Sequence, residues 1–137
     1  MKKKFIWMIL ITAFAVELNA HDEGHARPDK LPPIGPHGGK YTELTRHYAE
    51  IVVKGNQVKL YILERDVKAV AEDATNVSLE LEVKGKKRET VQLTQDKNDL
   101  GYAGTINIPS RTRVVHFHIK CMLDGKWETG KLLHEVK

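Results

Sequence analysis

Two stretches of this chain alternate in side-chain character with a period of two, and two turn-forming residues join them. Ala49, Ile51 and Val53 alternate with Tyr48, Glu50, Val52 and Lys54; after Gly55-Asn56, Val58, Leu60 and Ile62 alternate with Lys59, Tyr61 and Leu63. A period of two puts successive side chains on opposite faces of a strand, and a two-residue link that supplies positive φ reads as a β-hairpin. A hairpin cannot bury its apolar face alone, so the rest of the chain must provide a second layer.

The same period recurs downstream. Val77, Leu79, Leu81 and Val83 face one way, with Ser78, Glu80 and Glu82 the other. Lys84-Gly85-Lys86 turns the chain into Glu89 to Leu93, and a polar loop from Thr94 to Asp99 leads to Gly101 to Ile108. Pro109 to Thr112 separates that run from Arg113 to Cys121, and Asp124-Gly125 is a second strong hairpin signal before Lys126 to Leu133. Asp66 to Ala74 has room for one helical turn; no amphipathic helix or fixed-period repeat is visible. The expected fold is all-β: a two-sheet β-sandwich of seven or eight strands, immunoglobulin-like in outline.

Before the strands the composition differs. Lys2, Lys3 and Lys4 precede an apolar run from Phe5 to Val16, and Glu17-Leu18-Asn19-Ala20 forms a short polar tail ending in a small residue. That order is the pattern of a secretory signal peptide, and the run is shorter than the roughly 20 apolar residues of a membrane helix. Ala13-Phe14-Ala15 fits the small-x-small cleavage pattern better but leaves almost no polar tail, so cleavage is expected after Ala20. No cysteine sits at that junction, so no lipid anchor is expected. The expected organisation is a signal peptide over 1–20, a flexible lead-in over 21–40 and the sandwich over 41–137, exported to the periplasm as a soluble protein. Pro28, Pro32, Pro33 and Pro36 keep the lead-in from forming helix.

Without residues 1–20 the chain has 117 residues, with 19 Lys and Arg against 17 Asp and Glu, a net charge of +2. This small excess is spread along the strands with few interleaved aromatics, so no nucleic-acid partner is expected. Cys121 is the only cysteine, so the exported domain has no internal disulfide and depends on packing. Its place in the alternation puts it on the core face, as a small hydrophobe rather than a ligand.

The seven histidines are His21, His25, His37, His47, His116, His118 and His134, and three placements suggest metal chemistry. Cleavage after Ala20 places a free α-amine beside the His21 imidazole, with Asp22, Glu23 and His25 able to add ligands. This set suits zinc, copper(II), nickel or cobalt. The third mature position is Glu23 rather than His, so the specific amino-terminal copper motif is absent. The same segment also reads as a plain solvated tail. Next, Gly35-Pro36-His37-Gly38-Gly39 holds a histidine between a rigid proline and two glycines; this reads either as a ligand loop or as a turn that starts the first strand. Finally, His116 and His118 share a strand face opposite Val115, Phe117, Ile119 and Cys121, about 7 Å apart. They can share a metal if a third group closes the site, or sit as ordinary residues on a wet face.

The Pro-His-Gly-Gly stretch, followed by Ala49 to Val53 and Val58 to Leu63, resembles small periplasmic proteins and the segments that precede adaptor subunits of heavy-metal efflux pumps. The stretches Gly101 to Gly104 and Gly125 to Trp127 are also similar to small β-sandwich domains of respiratory and copper-associated accessory proteins. The first resemblance implies a non-enzymatic accessory in metal handling, with His37 as the position carried over and an efflux-pump adaptor or other envelope protein as partner. Both imply an immunoglobulin-like sandwich. No nucleophile elbow, His-Glu-x-x-His helix or phosphate-cradling glycine loop is present, and Ser78 and Ser110 lack an obvious base. Two functional readings follow: a periplasmic accessory that captures divalent transition-metal ions, or an interaction module of an envelope complex whose histidines are incidental.

Overall fold

The computed structural model describes residues 26–137. The expected signal peptide and the ligand candidates His21, Asp22, Glu23 and His25 lie outside the described residues. Among the described residues nine strands are present: β1 (Lys40–Glu43), β2 (Tyr48–Lys54), β3 (Gln57–Leu63), β4 (Thr75–Val83), β5 (Glu89–Val91), β6 (Thr94–Gln95), β7 (Tyr102–Thr105), β8 (Val114–Leu123) and β9 (Lys126–Glu135). They form two antiparallel sheets, β1-β2-β3-β7-β6 and β5-β4-β8-β9. With β1 set aside, β2-β3-β7-β6 against β5-β4-β8-β9 is the A-B-E-D against C′-C-F-G order of an immunoglobulin-like sandwich. No helix is present among the described residues, and none there is long and apolar enough to cross a membrane.

The expected count of seven or eight strands is corrected to nine. β1 carries no apolar alternation because it is an edge strand, paired only to β2. β6 is two residues long and lies in the stretch expected to be a polar loop. The Asp66 to Ala74 segment contains no helical turn. The Asp66 carboxylate accepts from the Lys68 and Ala69 backbone N–H groups, and Leu63 bridges Val70. That local capture by a short acidic side chain competes with helix formation.

The turns explain the hairpins. Gly55, at φ 60°, opens the β2–β3 link, while Asp124 and Gly125 take φ 51° and 71° in the β8–β9 link. The second pair fits a type I′ turn, whose twist matches that of the strands it joins. The main core lies between the sheets, with Ala49, Ile51, Val58, Leu60 and Ile62 facing Leu79, Leu81, Val115, Phe117, Ile119, Cys121 and Leu132. Cys121 is fully buried, as its place in the alternation predicts, and burial pushes its thiol up to about 12.

The outer face of the first sheet is not left to water. Tyr48, Tyr61, Leu63 and Val67 form a second small core, packed by Leu31, Tyr41, Val52 and Val70. Part of its cover comes from the lead-in, where Tyr41 donates its hydroxyl to the Pro32 carbonyl. The packed unit therefore starts before residue 41.

Candidate functional site

Glu50 lies on β2 with its side chain fully buried, on the face away from the main core. A lone buried carboxylate is costly, and the Pro-His-Gly-Gly loop supplies its partners. The Gly35 N–H donates to the Gly39 carbonyl at 2.8 Å and the Gly38 N–H to the Gly35 carbonyl at 3.0 Å, folding the loop into a tight turn. This aims the His37 N–H at Glu50 Oε1 (2.8 Å) and the Gly39 N–H at the same oxygen (2.9 Å), while His37 Nδ1 lies 2.7 Å from Oε2. Glycine at 35 is required by close approach: a Cβ there would land on the Glu50 carboxyl group.

The other end of the His37 ring is less enclosed. Its side chain is 28% exposed, and it stacks flat on Tyr61, with centroids 3.6 Å apart and planes within 1°. The Tyr61 hydroxyl donates to Asp99 Oδ2 at 3.0 Å. Asp99 is also bonded to the Lys59 ammonium, and Lys59 reaches Asp96 at 3.2 Å. Lys59 chiefly, helped by the Gly101 N–H, pulls the Asp99 carboxyl down to about 2. In turn Asp99 chiefly holds the Lys59 ammonium above its ordinary range. A row of contacts thus runs from Glu50 through His37 and Tyr61 to Asp99 and Lys59. Because Glu50 occupies Nδ1, any ligand approaching the ring of His37 would have to use Nε2.

A second histidine is held in the same way. Glu128 on β9 accepts the His47 N–H at Oε1 (3.0 Å) and lies 2.7 Å from His47 Nδ1 through Oε2. The Arg46 N–H also donates to Oε1, at 2.5 Å. His47 Nε2 lies 3.5 Å from Glu64 Oε2, at the side of a groove of about 920 Å³ that Glu43, Arg65, Glu72 and Asp73 also border. Sequence reasoning did not single out His47, Glu50 or Glu128. Glu50 sits at a strand position that alternation assigns to solvent, whereas Glu128 shares the inward face of β9 with Leu132, across from Cys121; in both cases only the buried partners reveal what the carboxylate does.

His116 and His118 project from β8 on the outer face of the second sheet, as the alternation predicts. Each lies across from a glutamate of β4: Glu82 is the register partner of His116 and Glu80 of His118. His118 Nε2 is 3.2 Å from Glu82 Oε1, and that bond is the main cause holding the Glu82 carboxyl below its ordinary range. The structure places this pair on the second sheet and His37 on the first, so they do not form one site. Among the described residues no three His, Cys, Asp or Glu side chains gather into a group able to hold a metal ion.

No protein-family model matches the chain, and no curated protein matches it. Among solved structures, the crystal structure of a Br derivative of BhCBM56 is similar at 16% identity and a TM-score of 0.49, over 70% of this chain and 98% of that one. A likeness at that distance bears on neither ligand nor activity.

Proposed function

We propose that the chain is an exported, non-enzymatic accessory that captures divalent transition-metal ions and presents them to an envelope partner such as an efflux-pump adaptor. The observation that carries this reading is the clamp on His37. A buried carboxylate engages Nδ1 at 2.7 Å and fixes the ring, leaving Nε2 as the available donor. Metal-ligating histidines use this arrangement, because the carboxylate sets ring orientation and raises ligand basicity. One imidazole does not make a site. The remaining ligands are assigned to His21, Asp22, Glu23 and His25, which lie twelve to sixteen positions before His37. Nitrogen and carboxylate donors of this mixture suit zinc, copper(II), nickel or cobalt.

Calorimetric titration of the chain from His21 onward with zinc, copper(II) and nickel tests the reading. Micromolar or tighter binding is expected, abolished by removing residues 21–25 and weakened at least tenfold by His37→Ala. Glu50→Gln is expected to weaken it by about tenfold or more through loss of orientation. No heat of binding in a non-chelating buffer overturns the proposal.

A second reading rests on Trp127 and Leu133, exposed by 50% and 46% along β9. They suit a docking module whose histidines are incidental. Retention of an envelope partner in the presence of a strong chelator favours it.

A further inference from the structure

Positive charge that is scattered along the sequence is gathered by the fold. The β4–β5 turn carries Lys84, Lys86 and Arg88, and the loop before β8 carries Arg111 and Arg113; both border one groove of about 860 Å³. All five side chains belong to exposed residues, and Glu82 is the single carboxylate in the lining. Residues 26–137 contain 19 Lys and Arg against 15 Asp and Glu, an excess of four. Five cations against one carboxylate equal that excess, and the other described residues balance at 14 against 14. A basic balance too small to mean anything along the chain becomes a local field in the groove.

The groove is arranged as well as charged. Gly85, at φ 79°, tightens the turn so that Lys84 and Lys86 flank it, and the Lys86 N–H donates to the Val83 carbonyl at 3.0 Å. Arg88 is anchored by Glu80 at 3.4 Å and Glu82 at 3.9 Å, which satisfies Glu82 within the sheet. His118 also engages Glu82 at 3.2 Å. The one acid of the groove is thus already partnered, while Lys84, Lys86, Arg111 and Arg113 pair with no carboxylate among the described residues. Val83 and Val114 add apolar lining, and His116 supplies an imidazole.

We propose that this groove binds phosphate groups, supplied either by an anionic lipid headgroup or by a soluble polyphosphate anion. Guanidinium pairs suit the oxygens of phosphate by forked hydrogen bonding, and ammonium groups add point charge. A concave wall of one sign focuses the field on an approaching anion. The site is independent of His37 and of any metal.

The test uses the chain from His21 onward and two probes at 50 mM salt: phosphatidylcholine vesicles containing 30% phosphatidylglycerol, and inorganic tripolyphosphate. The groove variant is Lys84→Gln with Lys86→Gln and Arg113→Gln. A control variant, Lys54→Gln with Lys97→Gln and Lys126→Gln, removes the same charge from residues outside the groove. Circular dichroism and the urea midpoint establish that both variants fold. Each groove cation is worth about fivefold in affinity for an anionic surface, so the groove variant is expected to lose on the order of 100-fold. The control is expected to lose far less. Vesicle binding without tripolyphosphate binding identifies the lipid headgroup as the source, and the reverse identifies a soluble phosphate; either supports the proposal when the groove variant abolishes it. Absence of binding to both probes overturns it, as does an equal loss in the groove and control variants.

Discussion

Glu128 grips His47 at two points, taking the backbone N–H on one oxygen at 3.0 Å and facing Nδ1 with the other at 2.7 Å. The two residues are 81 positions apart, and the pair ties the β1–β2 connection of the first sheet to β9 of the second. Both are buried, at 8% and 3% exposure. Glu128→Ala removes the acceptor of the Arg46 N–H as well as of both His47 groups. Buried donors left unpaired cost about 1–3 kcal/mol each, so a loss of about 3 kcal/mol or more is expected from urea unfolding. Glu128→Gln keeps one carbonyl acceptor and should lose less than Ala. Equal stability of wild type and Glu128→Ala would show that the pair is not a fastening between sheets.

Gly35 and Gly38 separate two reasons for glycine in one loop. A Cβ at 35 collides with the Glu50 carboxyl, whereas one at 38 meets nothing within 4 Å and suffers only from φ 83°. Gly38→Ala is expected to cost about 1 kcal/mol through backbone strain. Gly35→Ala must push the loop off Glu50, breaking up to three hydrogen bonds to a buried carboxylate, and is expected to cost about twice as much or more. Limited proteolysis within residues 30–40 should accelerate for Gly35→Ala and stay near wild type for Gly38→Ala.

The contrast between these glycines also shows where the sequence stopped being readable. The alternation of β8 predicts its inward set, Val115, Phe117, Ile119 and Cys121, because one face of that strand meets the main core and the other meets polar surroundings. Two-sheet architecture follows from such strands and their turns. In β2 the same logic fails: Tyr48, Ala49, Glu50 and Ile51 are all buried, since the lead-in covers the outer face. A glutamate in an alternating strand looks solvated until a loop from elsewhere reaches it. The histidine loop itself was legible at Gly35 to Gly39, but its partner was not, because no local pattern links positions 37 and 50. The basic groove was hidden for the same reason, with its two walls contributed by separate parts of the chain.

Asp99 sets a pH dependence. Lys59 and the Gly101 N–H hold its folded-state carboxyl near about 2, below the ordinary 3.8. A depressed folded value means that Asp99 adds stability above the unfolded value and that this is lost as pH falls from about 4 through 2. The Lys59 and Asp99 side chains are 28% and 36% exposed, and solvent screening limits the contribution to about 1 kcal/mol or less. Asp99→Asn should therefore be less stable than wild type at pH 6, and the gap should shrink steeply as pH falls from about 4 to 2. A gap that is constant across that range would assign the role of Asp99 to hydrogen-bond geometry alone, through Tyr61 and Gly101.

Tyr48 carries the opposite kind of polar group. Its ring meets Tyr41 edge-on at 5.7 Å, and it is 3% exposed within the second core. Its hydroxyl is buried without a hydrogen-bond partner among the described residues. A buried hydroxyl in that state retains its desolvation cost without the compensating bond. Tyr48→Phe keeps the ring and its packing and deletes only the unpaired oxygen. It should raise stability by about 1 kcal/mol, read as a higher urea midpoint with an unchanged slope. A loss of stability instead would mean that the hydroxyl finds a partner in solution, and the groove beside His47, which Tyr48 borders, is where that partner would be sought.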